Sequence, residues 1–299
     1  MGEDALEGNQ PSLVPSAPLH DLAQRLIATG EGRLVSGLLA AVQHVHALVA
    51  ETRPSADEMR AVIDFLTEVG HSADARRQEW VLLADVLGVS TLVEDMNAQR
   101  PLGATPNTVA GPFYRADVPE TANGGSICRD GSGAPLRVTG RITDLAGAGL
   151  GPSLVEVWQA NGAGVYENQE PDLQPEFNLR GRLVTDSLGR FSFHSVRPKG
   201  YRLPDDGPVG RVLTGLGLAL ERPAHLHFRV TAPGCQVLTT HVFDRSDPAL
   251  ARDAMFAVKP ELLADITPDP DLAGAWRLNV TFVLAPLAGH TPQPTRGRI

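Results

Sequence analysis

Up to about residue 100, apolar positions recur at helical spacing. Leu22, Leu26 and Ile27 fall on one face, and Leu34, Leu38, Leu39, Val42, Val45 and Val49 on another. Ser55 and Glu58 have capping-box spacing, which predicts a helix through Met59, Val62, Ile63, Leu66 and Val69 with Gly70 as its stop. Ser72 is expected to cap a further helix carrying Trp80, Leu83, Val86 and Leu87, and Ser90 to Met96 a last short one. Four or five helices fit this first third.

Beyond Pro101 the period changes to two. Leu136, Val138, Gly140 and Ile142 alternate with polar residues, as do Phe191, Phe193 and Ser195, and Leu278, Val280 and Phe282. Leu154 to Trp158 reads as a short strand. Turn residues fill the gaps at Gly147 to Pro152, Asp186 to Gly189, Pro204 to Gly210 and Pro233-Gly234, and Glu167 to Asn178 reads as a loop. The expected fold class is therefore α+β, with a helical region over residues 1–100 and a β-sandwich over residues 101–299. The tail from His290 to Ile299 is polar and is expected to be loosely ordered.

Composition narrows the function. The 30 Gly and 24 Pro fit a turn-rich β portion. A net charge of -9, with the basic residues scattered, argues against a nucleic-acid binder. Ser36, Gln43, His44 and His46 interrupt the apolar run from Leu34 to Val49, so no membrane insertion is expected. The acidic start, Met1 to Gln10, is unlike a secretory signal. Two distant cysteines, Cys128 and Cys235, point to a reducing cytoplasm and exclude a cysteine zinc site.

The candidate chemistry centres on Arg222-Pro223-Ala224-His225-Leu226-His227-Phe228. In a strand, His225 and His227 share a face and form a natural pair of metal ligands. Spacing leaves the rest of the site open: His241 or Glu221 would complete a zinc site, and a carboxylate an Fe(II) site. No Gly-x-Ser-x-Gly, Walker A or dinucleotide fingerprint occurs. Of the three Tyr in the chain, Tyr166 follows a Gly-rich turn and Tyr201 lies in Gly200-Tyr201-Arg202-Leu203-Pro204. A phenolate becomes a good ligand only for a hard, highly charged ion such as Fe(III).

In combination these segments resemble the intradiol ring-cleavage dioxygenases. Gly162 to Tyr166, Arg197 to Pro204 and Arg222 to Phe228 follow one another in the family's order, and Thr108 to Tyr114, Val155 to Ala160 and Asn178 to Arg182 agree. The resemblance implies one non-haem Fe(III) per subunit, held by Tyr166, Tyr201, His225, His227 and a hydroxide. It implies that substrate displaces the hydroxide and Tyr201, and that Arg222 lies beside the substrate ring. The substrates would be a small aromatic diol or triol and O2, and the product a ring-opened diacid. The helical region fits the catechol and hydroxyquinol branch, which implies a homodimer formed through the N-terminal helices, with a phospholipid at its interface.

By the same resemblance, the substrate wall falls on Leu82, Asp85, Ala110, Gly111, Pro112, Phe113, Leu203, Pro204 and Met255. Asp85 is matched by an Asp in hydroxyquinol enzymes, where it accepts a hydrogen bond from the third hydroxyl. Asp206-Gly207-Pro208-Val209-Gly210 also looks like that branch. Hydroxyquinol is therefore the expected substrate, giving 3-hydroxy-cis,cis-muconate or its keto form maleylacetate, with catechol or chlorocatechol as the alternative. The reading from another class is a non-enzymatic β-sandwich binding module.

Overall fold

Ser55 and Glu58 close their capping box: the Ser55 N–H donates to Glu58 Oε2 at 2.7 Å and the Glu58 N–H to Ser55 Oγ at 3.2 Å. In the computed structural model, which describes residues 17–28, 32–74, 77–98 and 100–287, this starts the third of five N-terminal helices. They are α1 (Ala17–Ala28), α2 (Arg33–Thr52), α3 (Ala56–Ser72), α4 (Glu79–Val86) and α5 (Val89–Asn97). Gly70 does not stop α3. It stays helical, and its bare Cα faces the Trp80 indole nitrogen, which a Cβ would meet at 3.7 Å. Ser72 consequently ends α3 rather than capping α4, which begins seven residues later. The segment from His290 onward lies outside the described residues.

The described residues form two compact units dividing at Thr67/Glu68, so α4 and α5 belong to the sheet-bearing unit. In the first unit, α2 has no buried residue. Over an 18-residue window its mean hydropathy reaches 1.4, and the helix is long and apolar enough to cross a membrane by length and composition. Length and composition alone do not make it a span, and Ser36, Gln43, His44 and His46 still interrupt its apolar run.

The second unit holds β1 (Pro135–Thr143), β2 (Leu154–Trp158), β3 (Arg180–Val184), β4 (Arg190–Val196), β5 (Tyr201–Arg202), α6 (Pro208–Gly215), β6 (Glu221–Arg222), β7 (His225–Thr231), β8 (Leu238–Asp244), β9 (Leu263–Ala264), β10 (Thr267–Pro268) and β11 (Trp276–Val283). One sheet has the order β10-β11-β1-β4, the other β3-β2-β7-β8-β9, and β5-β6 form a separate ribbon. The pairings β1–β11 and β8–β9 are parallel and the rest antiparallel. The two large sheets face each other over one core, in which Val138, Phe193 and Phe282 of the first meet Val155, Leu226 and Phe228 of the second. Each such side chain contributes roughly 1.5–3 kcal/mol on burial. Gly140 interrupts the apolar face of β1 because its partner Phe191 fills that space; a Cβ would collide with the Phe191 ring. The turn expected from Pro204 to Gly210 instead runs into α6, since Pro208 suits the first helical position.

Candidate metal centre

Strand alternation on β7 sends Leu226, Phe228 and Val230 into the core and His225 and His227 to the opposite face. That face is covered as well: His225 is 3% and His227 1% exposed. Register supplies their neighbours. His227 lies between Trp158 on β2 and His241 on β8, and His225 opposite Phe243. The Trp158 ring stacks on His227 at 4.7 Å and 11°, which fixes the imidazole plane.

The two tyrosines arrive from loops. Asn161 Oδ1 accepts from the Ala163 and Val165 N–H groups and shapes the turn before Tyr166. Gly164 has φ +87° and sits where a Cβ would lie 2.9 Å from the Gly200 carbonyl and 3.0 Å from Tyr201 Cβ. Only glycine lets these two segments approach so closely. Tyr201 pairs with Arg222 in the β5–β6 ribbon. The Tyr166 and Tyr201 rings are 5.9 Å apart, Tyr201 and His225 5.7 Å, and His225 and His227 4.8 Å. The four expected ligand side chains are thus neighbours. Phe113 stacks on Tyr166 at 4.2 Å, and its carbonyl accepts from Arg180, whose Nε donates to Glu167 at 2.6 Å.

His225 Nδ1 donates to the Pro223 carbonyl at 2.7 Å, which leaves Nε2 as a bare lone pair. That lone pair faces His227 Nε2 at 3.2 Å. Burial first, and then the Arg222 charge, hold His225 well below the usual histidine range; burial, His225 and Arg222 do the same for His227. Both rings are therefore neutral. Tyr166 is 1% exposed, and its hydroxyl has no hydrogen-bond partner among the described residues. Burial and the neighbouring Tyr201 phenol push its pKa well up, against Arg222 and Arg180. The adjacent His225 and His227 Nε2 atoms and the buried, unpartnered Tyr166 phenol make a donor set that fits a metal ion.

Arg222 is 1% exposed. Its Nε donates to Asp253 at 3.2 Å, and its other nitrogens lie 3.5 Å from His225 Nε2 and 3.4 Å from His241 Nε2. Burial opposes its charge, but the Tyr201 phenol, Asp253 and Tyr166 hold its pKa above the usual value. The nitrogens of His225, His227 and His241 lie within 4.8 Å of one another. His241, however, is engaged at both: Nδ1 meets the Thr108 hydroxyl and Nε2 faces Arg222. With both ring nitrogens engaged, His241 is less available as a third ligand than His225 and His227 are as a pair. Spacing alone did not single out Trp158, Asp253, Thr108 or Arg180, because their places depend on strand pairing.

Above the centre lies a cavity of about 980 Å³, lined by Tyr201 and by six of the expected wall residues, Leu82, Pro112, Phe113, Leu203, Pro204 and Met255. Gly111 sits below it, where a Cβ would be 3.5 Å from the His227 ring. Neither Ala110, Asp85 nor Arg222 is on this lining. Asp85 is 2% exposed on α4, one turn beyond Leu82, and its Oδ2 has no hydrogen-bond partner among the described residues.

Two family models match the chain: that described as Dioxygenase over residues 109–286, and that described as Catechol dioxygenase N terminus over residues 32–105. A hydroxyquinol 1,2-dioxygenase of Rhizobium sp. (strain MTP-10005) is 41% identical over 288 residues, covering 93% of this chain and 98% of that protein. A catechol 1,2-dioxygenase of Candida albicans is 35% identical, covering 92% of this chain and 88% of its own. Among solved structures, a hydroxyquinol 1,2-dioxygenase from Pseudomonas putida DLL-E4 aligns with a TM-score of 0.84 at 35% identity, over 90% of this chain and 97% of its own.

Proposed function

The chain belongs to the intradiol ring-cleavage dioxygenases, and from that premise we propose that its substrate is hydroxyquinol. The ring opens between two adjacent hydroxylated carbons, and both atoms of O2 enter the resulting diacid. Family membership sets aside the non-enzymatic carrier. One observation carries the choice of substrate: Asp85 is buried with an oxygen that has no partner. Burial raises its pKa, against Ser90 and the Arg222 charge. An unpartnered buried carboxyl is costly, and a third ring hydroxyl supplies the missing partner, which catechol lacks. Hydroxyquinol-cleaving relatives support the same choice.

One ferric ion per subunit would be held by Tyr166, Tyr201, His225 and His227. Bound there, it supplies Lewis acidity toward the diol and the positive charge that stabilises phenolates. The residues divide the remaining work by burial. Tyr166, covered by Phe113, is the fixed ligand. Tyr201 lines the cavity and would be the ligand free to leave, its phenolate Oη then taking a proton from the incoming diol. Arg222, held by Asp253 beside His225, would place a fixed positive charge next to the ligands to stabilise charge developing on the ring. The apolar members of the lining, Leu82, Pro112, Phe113, Leu203, Pro204 and Met255, position the ring.

Oxygen uptake on hydroxyquinol, catechol and 4-chlorocatechol side by side tests the assignment. Hydroxyquinol should give the largest kcat/KM. Asp85→Ala should lower it about 10–100-fold relative to catechol, the scale of a lost hydrogen bond to a buried polar group. An equal fall on both substrates would remove Asp85 from recognition.

The N-terminal helices support a homodimer. Leu34, Leu38, Val45 and Leu48 on α2 and Met59, Val62 and Ile63 on α3 are all more than a third exposed. Such apolar surface suits a partner helix, with a phospholipid chain filling what the helices leave open. Light scattering should give twice 31.8 kDa, and Leu38→Asp with Val45→Asp should halve it. The two free cysteines, both with raised pKa through burial, support a cytoplasmic enzyme.

A further inference from the structure

The cavity has two walls from distant parts of the chain. One is α4 with Leu82, one turn from Asp85; the other is the segment after Tyr201 with Leu203 and Pro204. A chain of charged groups joins them at the cavity mouth. The Arg77 guanidinium donates through Nε to Glu79 at 2.8 Å, and through its two terminal nitrogens to both oxygens of Asp206, at 2.7 and 3.0 Å. The other Glu79 oxygen accepts the Val209 N–H at 3.1 Å, at the start of α6. Glu79 is 1% exposed although charged, and with Arg77 it lines the cavity beside Leu82. Arg211 holds the second wall in turn, donating to the Asp206 carbonyl at 2.9 Å. Gly207 is packed so tightly beneath the guanidinium that a Cβ would run into Arg77 and Glu79.

We propose that Arg77, Glu79 and Asp206 form a strap that fixes the separation of the two cavity walls and thereby decides which ring substituents the enzyme admits. The three are positioning residues, and the proposal rests on the reading of this cavity as the ring site. A planar guanidinium bridging two carboxylates has little freedom, so it sets distance as well as charge. Asp206 is largely exposed, so the strap adds little to stability and acts through geometry. Loosening it lets α4 move away from the 203–210 segment: small rings then bind less snugly, and rings with an added alkyl group fit better.

The test uses the iron-loaded enzyme and a series from catechol to 4-methylcatechol and 4-ethylcatechol. Asp206→Ala and Arg77→Ala should each raise KM for catechol several-fold with little change in kcat. Each should shift the kcat/KM ratio toward the ethyl compound about two- to fivefold, the range open to a largely exposed ion pair. The double variant should be no worse than Arg77→Ala alone, which already breaks both the Asp206 and the Glu79 links. Gly207→Ala, which keeps every charge, should shift the ratio in the same direction. Iron content and the tyrosinate absorption band should not move. Unchanged substrate ranking in folded Asp206→Ala protein overturns the strap, as does a shift that occurs only with loss of iron. Hydroxyquinol is absent from the series, so failure of the substrate assignment and failure of the strap are read separately.

Discussion

Tyr166→Phe is expected to yield a colourless protein that retains no iron and does not consume O2 with any diol. The substitution keeps the ring, its 4.2 Å stack on Phe113 and its burial, and removes one oxygen. Loss of an outer partner of a metal ligand already costs about 10–100-fold in affinity, and loss of a ligand costs more. The same change should leave the metal-free protein as stable as the metal-free parent, or more so. The Tyr166 hydroxyl is buried without a partner, and such a group costs about 1–3 kcal/mol. Metal analysis and calorimetry of both apo proteins check the two halves. An iron-replete, red-brown Tyr166→Phe enzyme would remove Tyr166 from the ligand set.

The second large effect concerns Arg222. Arg222→Lys is expected to lower kcat about 10²–10³-fold, the scale for removing one preorganised donor to a developing charge, while iron content stays unchanged. Lysine retains the charge but not the fork that reaches Asp253 while facing His225 and His241. Arg222→Met should also destabilise the fold. Breaking a buried ion pair costs about 3–5 kcal/mol, and Asp253 would keep only its backbone donors at Met255 and Ala257. Steady-state oxygen uptake and thermal denaturation separate the two variants. Unimpaired turnover by Arg222→Lys would mean that charge alone is enough.

The five α-helices before residue 100 and the strands carrying Leu136, Leu154, Phe191, His225 and Leu278 were legible because their apolar residues repeat at the period of one face. Helix ends were less so. Gly70 looked like a stop, and packing against Trp80 kept it inside α3. The start of α6 was hidden by Pro208, which reads as a turn residue until its place at a helix N-terminus is seen. The candidate ligands could be named for a chemical reason: two histidines two apart in a strand share a face, and a phenolate is a good ligand only for a hard, highly charged cation.

Sequence by itself therefore determined the α+β class and the membership in a family, and it named the four side chains on which the proposed iron site rests. The tertiary structure decided what surrounds them. His241 lies beside His227 only because β8 pairs with β7 in one register, and that register turns a candidate third ligand into a neighbour of Arg222. Burial left one Asp85 oxygen, Oδ2, without a hydrogen-bond partner among the described residues, and Arg77 met Asp206 across 129 residues of chain, through packing that no local spacing encodes. Local pattern fixes which face a residue occupies, while the energy of a buried charge or an unpaired oxygen depends on everything packed around it.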